Sequence, residues 1–271
     1  MNKKFQNGRR NGNDLAPAIH HSDKYNLAEQ QILLNEDVYS LCTDRNEIVR
    51  IALAKRGLML GVLMNDPNVN VRVEVAKQAS RETLLLMVND PSELVRREVA
   101  RRRILSPSLF INDSSRDVIN EVLYDEQVAR KYLYCDALYR IQIASTCNSV
   151  RVLSKIIADP CVHVREALAV RGFFHESFVR DPDSRVRIAM LKCPKVNRYS
   201  LSILASDKDE HVRALAALHV SHAKWLGEKL LYDRSYAVRV ALASHCRDRE
   251  ILSVLLHDRN PKVRAAAILN L

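Results

Sequence analysis

The sequence predicts an all-α fold, a right-handed α-solenoid of about ten short helical repeats, and three observations carry that expectation. A pattern typified by "NDPSELVRREVARRR" (89–103) returns along the chain at intervals of 21–26 residues. A fixed period of that size is the mark of stacked repeat units. Within each return, apolar residues fall at i, i+3, i+4 and i+7, the spacing of one buried helical face. Only six Gly and eight Pro occur in 271 residues, which leaves little material for long loops or β-turns.

Taken in chain order, the units begin with "TDRNEIVRIALAKRG" at Thr43, "NDPNVNVRVEVAKQA" at Asn65 and the stretch at Asn89. Two diverged copies follow, around 113–120 and 136–144. Then come "ADPCVHVREALAVRG" at Ala158, "RDPDSRVRIAMLKCP" at Arg180 and "SDKDEHVRALAALHV" at Ser206. The series closes with "YDRSYAVRVALASHC" at Tyr232 and "HDRNPKVRAAAILNL" at His257. Anchoring each unit on its arginine gives Arg50, Arg72, Arg96, Arg140, Arg165, Arg187, Arg213, Arg239 and Arg264, with Ile119 standing in once. An aspartate precedes the anchor by six residues at Asp44, Asp66, Asp90, Asp113, Asp159, Asp181, Asp207, Asp233 and Asp258; Tyr134 is the exception.

Each column has a physical reading. The Asp, often followed by Pro, is expected to open a helix, its carboxylate capping free N–H groups and Pro suiting the first turn. Val precedes the anchor in nine of ten units, and Ala follows it by four in seven, where a small side chain lets neighbouring helices approach. Upstream segments such as "TLLLMV" (83–88) and "REILSVLL" (249–256) predict a second, shorter helix. One unit is thus a short helix, a tight turn and a longer helix. It cannot bury its apolar face alone, but stacked units can. The repeats are expected over 26–271, after a flexible basic arm at 1–25.

Asp followed six residues later by Arg, after a Val and before an Ala-rich helix, resembles the HEAT-repeat signature. The short period with "DPxxxVRxxVA" is still more similar to the leucine-rich repeat variant family, whose units pair an α-helix with a short, often 3₁₀, helix. The resemblance covers roughly residues 30–271. It implies that the Asp and Arg columns form a hydrogen-bonding ladder between repeats. The sequence lacks the N-terminal cysteine cluster of an iron–sulfur member of that family, so no cluster is expected.

Net charge is +10, from 42 Lys and Arg against 32 Asp and Glu. A balance of this kind speaks to association rather than fold. The nine ladder arginines and nine ladder aspartates cancel, so the surplus lies elsewhere. Part of it follows the anchors: Lys55, Arg56, Lys77, Arg97, Arg101, Arg102, Arg103, Arg171 and Lys192. Equivalent positions of a solenoid share an edge, so these residues are candidates for a basic ridge. Two readings stand: cations complementing helix C-terminal dipoles, or a surface for a polyanion or an acidic protein. A second candidate surface is the irregular unit, where Tyr124, Arg130, Lys131, Tyr132, Tyr134 and Tyr139 interleave aromatics with cations. Such residues stack bases or anchor a peptide, or else mark a degenerate, kinked repeat.

Cys193, His219 and His245 share the column six after the anchor. Stacked helices lie about 8–10 Å apart, whereas zinc ligands lie about 2 Å from one ion, so no metal site is expected. No cofactor motif or nucleophile motif appears, and the one His-Glu pair, His175–Glu176, falls short of a di-iron hydroxylase set. The dispersed cysteines suit a reducing compartment, no signal-peptide run opens the chain, and no stretch is apolar enough to cross a membrane. The expectation is a cytoplasmic, non-enzymatic binding scaffold for an acidic protein partner, with nucleic-acid binding as the alternative. The last helix, with Leu269 where other units carry a cation five after the anchor and Ile268 and Leu271 flanking it, is a candidate docking edge for a second copy or the partner.

Overall fold

A helix needs about 12–15 residues to persist alone in water, and no repeat of this sequence offers so many. In the computed structural model, which describes residues 35–271, the long helices span only seven to ten residues and persist by packing. The basic arm, 1–25, and residues 26–34 of the expected stack lie outside the described residues. Contacts divide the described residues into two compact units, one ending at Val122 and one running from Leu123 to Leu271.

The first unit contains α1 (Asn35–Leu41), α2 (Glu47–Lys55), α3 (Leu60–Leu63), α4 (Val69–Gln78), α5 (Arg81–Met87), α6 (Glu93–Arg101), a 3₁₀ turn at Pro107–Phe110, and α7 (Arg116–Val122). Its long helices pack in succession, α2 on α4, α4 on α6 and α6 on α7. The second unit contains α8 (Glu126–Tyr132), α9 (Ala137–Thr146), α10 (Val150–Leu153), α11 (Val162–Val170), α12 (Ser184–Leu191) and α13 (Arg198–Leu204). It continues through α14 (Glu210–Ala217), α15 (Lys224–Leu230), α16 (Tyr236–His245), α17 (Arg249–Leu255) and α18 (Pro261–Leu269). Here α9 packs on α11, α11 on α12, α12 on α14, α14 on α16 and α16 on α18. Short 3₁₀ helices at Ser154–Ile156, Glu176–Arg180 and Val220–His222 serve as, or extend, the second helix of some repeats. No strand occurs among the described residues.

The two apolar columns form the core. Val49, Val71, Val95, Val118, Val164, Val186, Val212, Val238 and Val263 are all fully buried, as are the alanines four after the anchor at 54, 76, 144, 169, 217 and 243.

Arg264 makes the first of two contacts, and each anchor arginine from Arg50 to Arg239 makes both. Its Nη1 donates to a carbonyl at the turn of its own repeat, in most cases that of the Asp six residues earlier, as Arg187 does to Asp181 at 2.7 Å. Its Nε and Nη2 donate as a fork to the carboxylate of the next repeat. In the first unit the pairs are Arg50 with Asp66, Arg72 with Asp90 and Arg96 with Asp113. In the second they are Arg140 with Asp159, Arg165 with Asp181, Arg187 with Asp207, Arg213 with Asp233, and Arg239 with Asp258. Arg140, whose own repeat carries Tyr134 in the Asp column, donates to the Cys135 carbonyl instead.

These aspartates do not cap their helices, contrary to the sequence expectation. The N-caps lie two residues later, at Asn46, Asn68, Asp183, Asp209, Ser235 and Asn260 among others. The ladder carboxylate instead accepts the N–H of that N-cap residue, as Asp207 does from Asp209 at 2.9 Å. This Asx turn aims the carboxylate sideways at the preceding repeat. Proline at 67, 91, 160 and 182 therefore lies before the cap, outside the helix.

A second set of contacts closes the other end of the helices. Arg102 donates to the carbonyls of Ala76, Lys77 and Ala79 at the end of α4. In the same column, Arg171 reaches Ala144 and Cys147 past α9, His219 Nε2 lies 3.0 Å from the Leu191 carbonyl, and Asn270 reaches Ala243 and Cys246. These side chains satisfy carbonyls that a helix end leaves without intrahelical donors.

Two predictions follow from the rungs. Asp207→Ala leaves the buried Arg187 guanidinium unpaired, and losing one partner of a buried pair costs about 3–5 kcal/mol. Thermal melting should fall by roughly 10 °C, since about 1 kcal/mol shifts a domain of this size by about 2–4 °C; an unchanged melt removes the structural role. The second concerns pH. Arg239 and the Asn260 N–H hold the Asp258 carboxyl below its ordinary value. Burial pushes Asp113 and Asp233 up, but hydrogen bonds from Arg96 and Arg213 outweigh it and the net shift is again downward. Depressed carboxyls stabilise the fold above the unfolded value of about 3.9 and lose that contribution as pH falls through the folded value. Melting temperature should hold from pH 7 to about 5 and drop below about 4.

Candidate binding surface

Few of the ridge cations are unengaged. Lys55 and Lys192 are exposed. Lys77 pairs with Glu74 at 2.6 Å, Arg101 with Glu98 at 3.0 Å, and Arg97 with Glu121 at 3.0 Å and Asp117 at 3.8 Å. Arg102 and Arg171 bind helix-end carbonyls, as described above. Arg56 sits in their column, with Nε and Nη2 buried and no hydrogen-bond partner among the described residues. Arg103 adopts a left-handed φ of 54°, where the equivalent residues are Gly57 and Gly172. That conformation costs a side-chain-bearing residue about 1 kcal/mol. Lys55 to Arg103 belong to the first unit, Arg171 and Lys192 to the second.

The geometry singles out one part of the ridge. A shallow recess of about 360 Å³ opens on the long-helix face of the first unit, lined by Asn70, Val73, Lys77, Leu94, Arg97, Glu98 and Arg101. Leu94 is 51% exposed. Residues four apart on a helix share a face, so Val73 with Lys77 on α4, and Leu94 with Arg97 and Arg101 on α6, give the recess an apolar floor and a cationic rim. The rim side chains of Arg97 and Arg101 keep 49% and 58% of their exposure while paired. Hydrogen bonds to Glu121 and Glu98 strengthen the proton affinity of these guanidiniums.

In the irregular repeat, the aromatics are partly core. Tyr132 is buried and stacks on Tyr139 with ring centroids 4.7 Å apart. Lys131 lies 5.5 Å from the Tyr132 centroid, and Arg130 pairs with Glu126 at 2.5 Å. Tyr124 is half-buried, and Tyr134 is 82% exposed. The structure therefore brings Lys131, Tyr132 and Tyr139 together and leaves Tyr134 projecting alone. Ile268 and Leu269 on α18, and Leu271 just beyond it, are 62%, 88% and 65% exposed.

The sequence reading missed one column. The residue after the ladder aspartate is Pro67, Pro91, Pro160 and Pro182 in four repeats, but Arg45, Lys208, Arg234 and Arg259 in four others. All four cations are exposed. The last three fall in consecutive repeats, and aligning the units one residue further would have shown them. No group of three or more His, Cys, Asp and Glu suited to a metal occurs among the described residues, and no described helix is long and apolar enough to cross a membrane.

No family model matches the chain, and no curated protein matches it. Among solved structures it is similar to a leucine-rich repeat variant with a novel repetitive structural motif, at 21% identity over 84% of this chain and 88% of that one, with a TM-score of 0.49. It is also similar to YibA of Escherichia coli, at 16% identity over 98% of this chain and 99% of that one, with a TM-score of 0.28. On the packing of its own helices, the chain is an α-solenoid of short helical repeats.

Proposed function

We propose that the chain is a non-enzymatic binding scaffold that holds an acidic segment of a partner protein on the long-helix face of its first unit. The observation that carries this reading is the recess between α4 and α6, an apolar floor ringed by Lys77, Arg97 and Arg101. Exposed ion pairs are worth about 0–1 kcal/mol each. The carboxylates of Glu74, Glu98 and Glu121 are therefore readily exchanged for those of a partner, while Leu94 and Val73 supply apolar contact. The helices beneath are held by rungs on the far side of the turn, so occupancy of the recess needs no change in the stack. Such a surface binds without covalent chemistry.

The test is affinity capture from nuclease-treated lysate, comparing the natural chain with Arg97→Glu combined with Arg101→Glu. A protein retained after nuclease treatment and reduced at least tenfold by the double substitution supports the scaffold. Capture that disappears with nuclease, together with micromolar binding of a DNA or RNA oligonucleotide at physiological salt, transfers the surface to nucleic acid.

The same reading gives a docking role to Ile268 and Leu269 of α18 and to Leu271 beyond it, with a second copy of the chain or the partner as occupant. Exposed apolar patches of this kind mark interaction sites. Light scattering at tens of micromolar should show association that Leu269→Glu with Leu271→Glu abolishes. A monomer, with partner capture unaltered in the double variant, removes the docking role.

A further inference from the structure

One anchor arginine holds the ladder geometry without a carboxylate to receive it. Arg264 fixes its Nη1 on the carbonyls of Asp258 and Arg259, at 2.8 and 3.2 Å. Arg187 does the same on those of Asp181 and Pro182, at 2.7 and 3.1 Å. In the eight rungs that contact is accompanied by an Nε 2.6–2.8 Å from an aspartate of the next repeat. The Nε and Nη2 of Arg264 make no hydrogen bond and no salt bridge among the described residues.

An apolar column opens at the same repeat. The residue four after the anchor is at most 4% exposed in the nine preceding repeats, from Ala54 to Ala243. Ile268 takes that place in the repeat of Arg264 and is 62% exposed. The column lies where one repeat receives the next. The following repeat reaches back to the carbonyls of Ala76, Ala144, Leu191 and Ala243 through Arg102, Arg171, His219 and Asn270. The Arg264 fork and Ile268 therefore belong to one face, on which the earlier repeats of the unit receive their successors.

We propose that this face receives a helical repeat of a partner protein, whose aspartate, held in an Asx turn ahead of its helix, fills the Arg264 fork. The inference rests on the docking role given to α18 and supplies the chemistry of its occupant. Continuity with the stack carries it, since the same fork takes a carboxylate of that kind in eight rungs. Parallel N–H donors match the two oxygens of one carboxylate, and Ile268 offers apolar contact to the partner's helix. A second copy of the chain does not suit the fork. Its ladder aspartates from Asp66 to Asp258 each hold an arginine of their own, and Asp44 is buried and engaged within the chain. Copies that meet through Leu269 and Leu271 leave the rung open.

The probe is a fluorescein-labelled peptide of residues 248–271, one complete repeat, whose Asp258 fills the Arg239 fork in the stack. Its anisotropy is read against the full chain. Saturable binding at micromolar concentrations is expected, and Asp258→Asn in the peptide should weaken it at least tenfold. Arg264→Gln in the chain should do the same, with circular dichroism showing the variant folded. Arg264→Lys keeps the charge but not the planar fork, and should also bind at least tenfold more weakly. No saturable binding, equal binding of the Asn peptide, or full binding by either Arg264 variant overturns the proposal. Self-association that Arg264→Gln abolishes also overturns it, assigning the fork to a second copy. The two failures read differently: equal binding by the Arg264 variants removes the rung alone. Loss of the docking role shows as partner capture unaltered by Leu269→Glu with Leu271→Glu.

Discussion

Everything in the stack depends on one guanidinium geometry. Arginine presents donors in a rigid planar fork. Here Nη1 is fixed on a carbonyl of the arginine's own turn, which leaves Nε and Nη2 aligned on the carboxylate of the next repeat. The first contact orders the side chain before the second is made, so little rotamer freedom remains to be lost when two repeats meet. The aspartate is ordered in the same way by the N–H two residues on. Helices too short to stand alone are thereby joined through two preorganised groups, with the valine and alanine columns filling the space beneath.

Burying an ion pair does not guarantee stability, because desolvation opposes the attraction. These rungs answer that cost with hydrogen bonds. In the Arg187–Asp207 rung the guanidinium donates to two carboxylate oxygens and two carbonyls, and the carboxylate also accepts from the Asp209 N–H. The side chains are 5% and 7% exposed. Losing either partner leaves several buried groups without hydrogen bonds, which explains why a departure from the pattern takes both columns together. Arginine gives way to Ile119, itself buried, and aspartate gives way to the exposed Tyr134 one repeat later. Within each compact unit the ladder is uninterrupted, and the two departures flank the division at Val122 and Leu123.

The periodic features were legible because they recur. The ten units, the buried valines and the Asp and Arg columns all follow from alignment of the sequence with itself. What escaped was direction. A carboxylate before a helix suggests a cap, and nothing in one sequence distinguishes a cap from an Asx turn aimed at a neighbour. Likewise Arg102 and Arg171 look like surface charge, because the carbonyls they reach lie in the preceding repeat. Arg97 looks unengaged for a related reason, since Glu121 becomes its partner only once the helices pack, whereas the Glu98–Arg101 pair, three apart on one helix, is open to a reading of the spacing. Their proximity to the recess could be read only from the packed helices.

Charge that survives this internal pairing is therefore more informative than total charge. A net +10 spread over the surface would steer polyanions without selecting among them. The ladder cancels, the ridge is largely paired, and helix-end carbonyls take two more arginines. What remains includes exposed cations such as Arg45, Arg234 and Arg259, each beside a ladder aspartate that already holds its own place in the stack. A periodic scaffold imposes its own spacing on whatever charge it leaves unpaired, and that spacing can discriminate among ligands of equal charge. The physical logic that makes the fold is one repeat satisfying its neighbour, each arginine and aspartate being completed only across the junction between them.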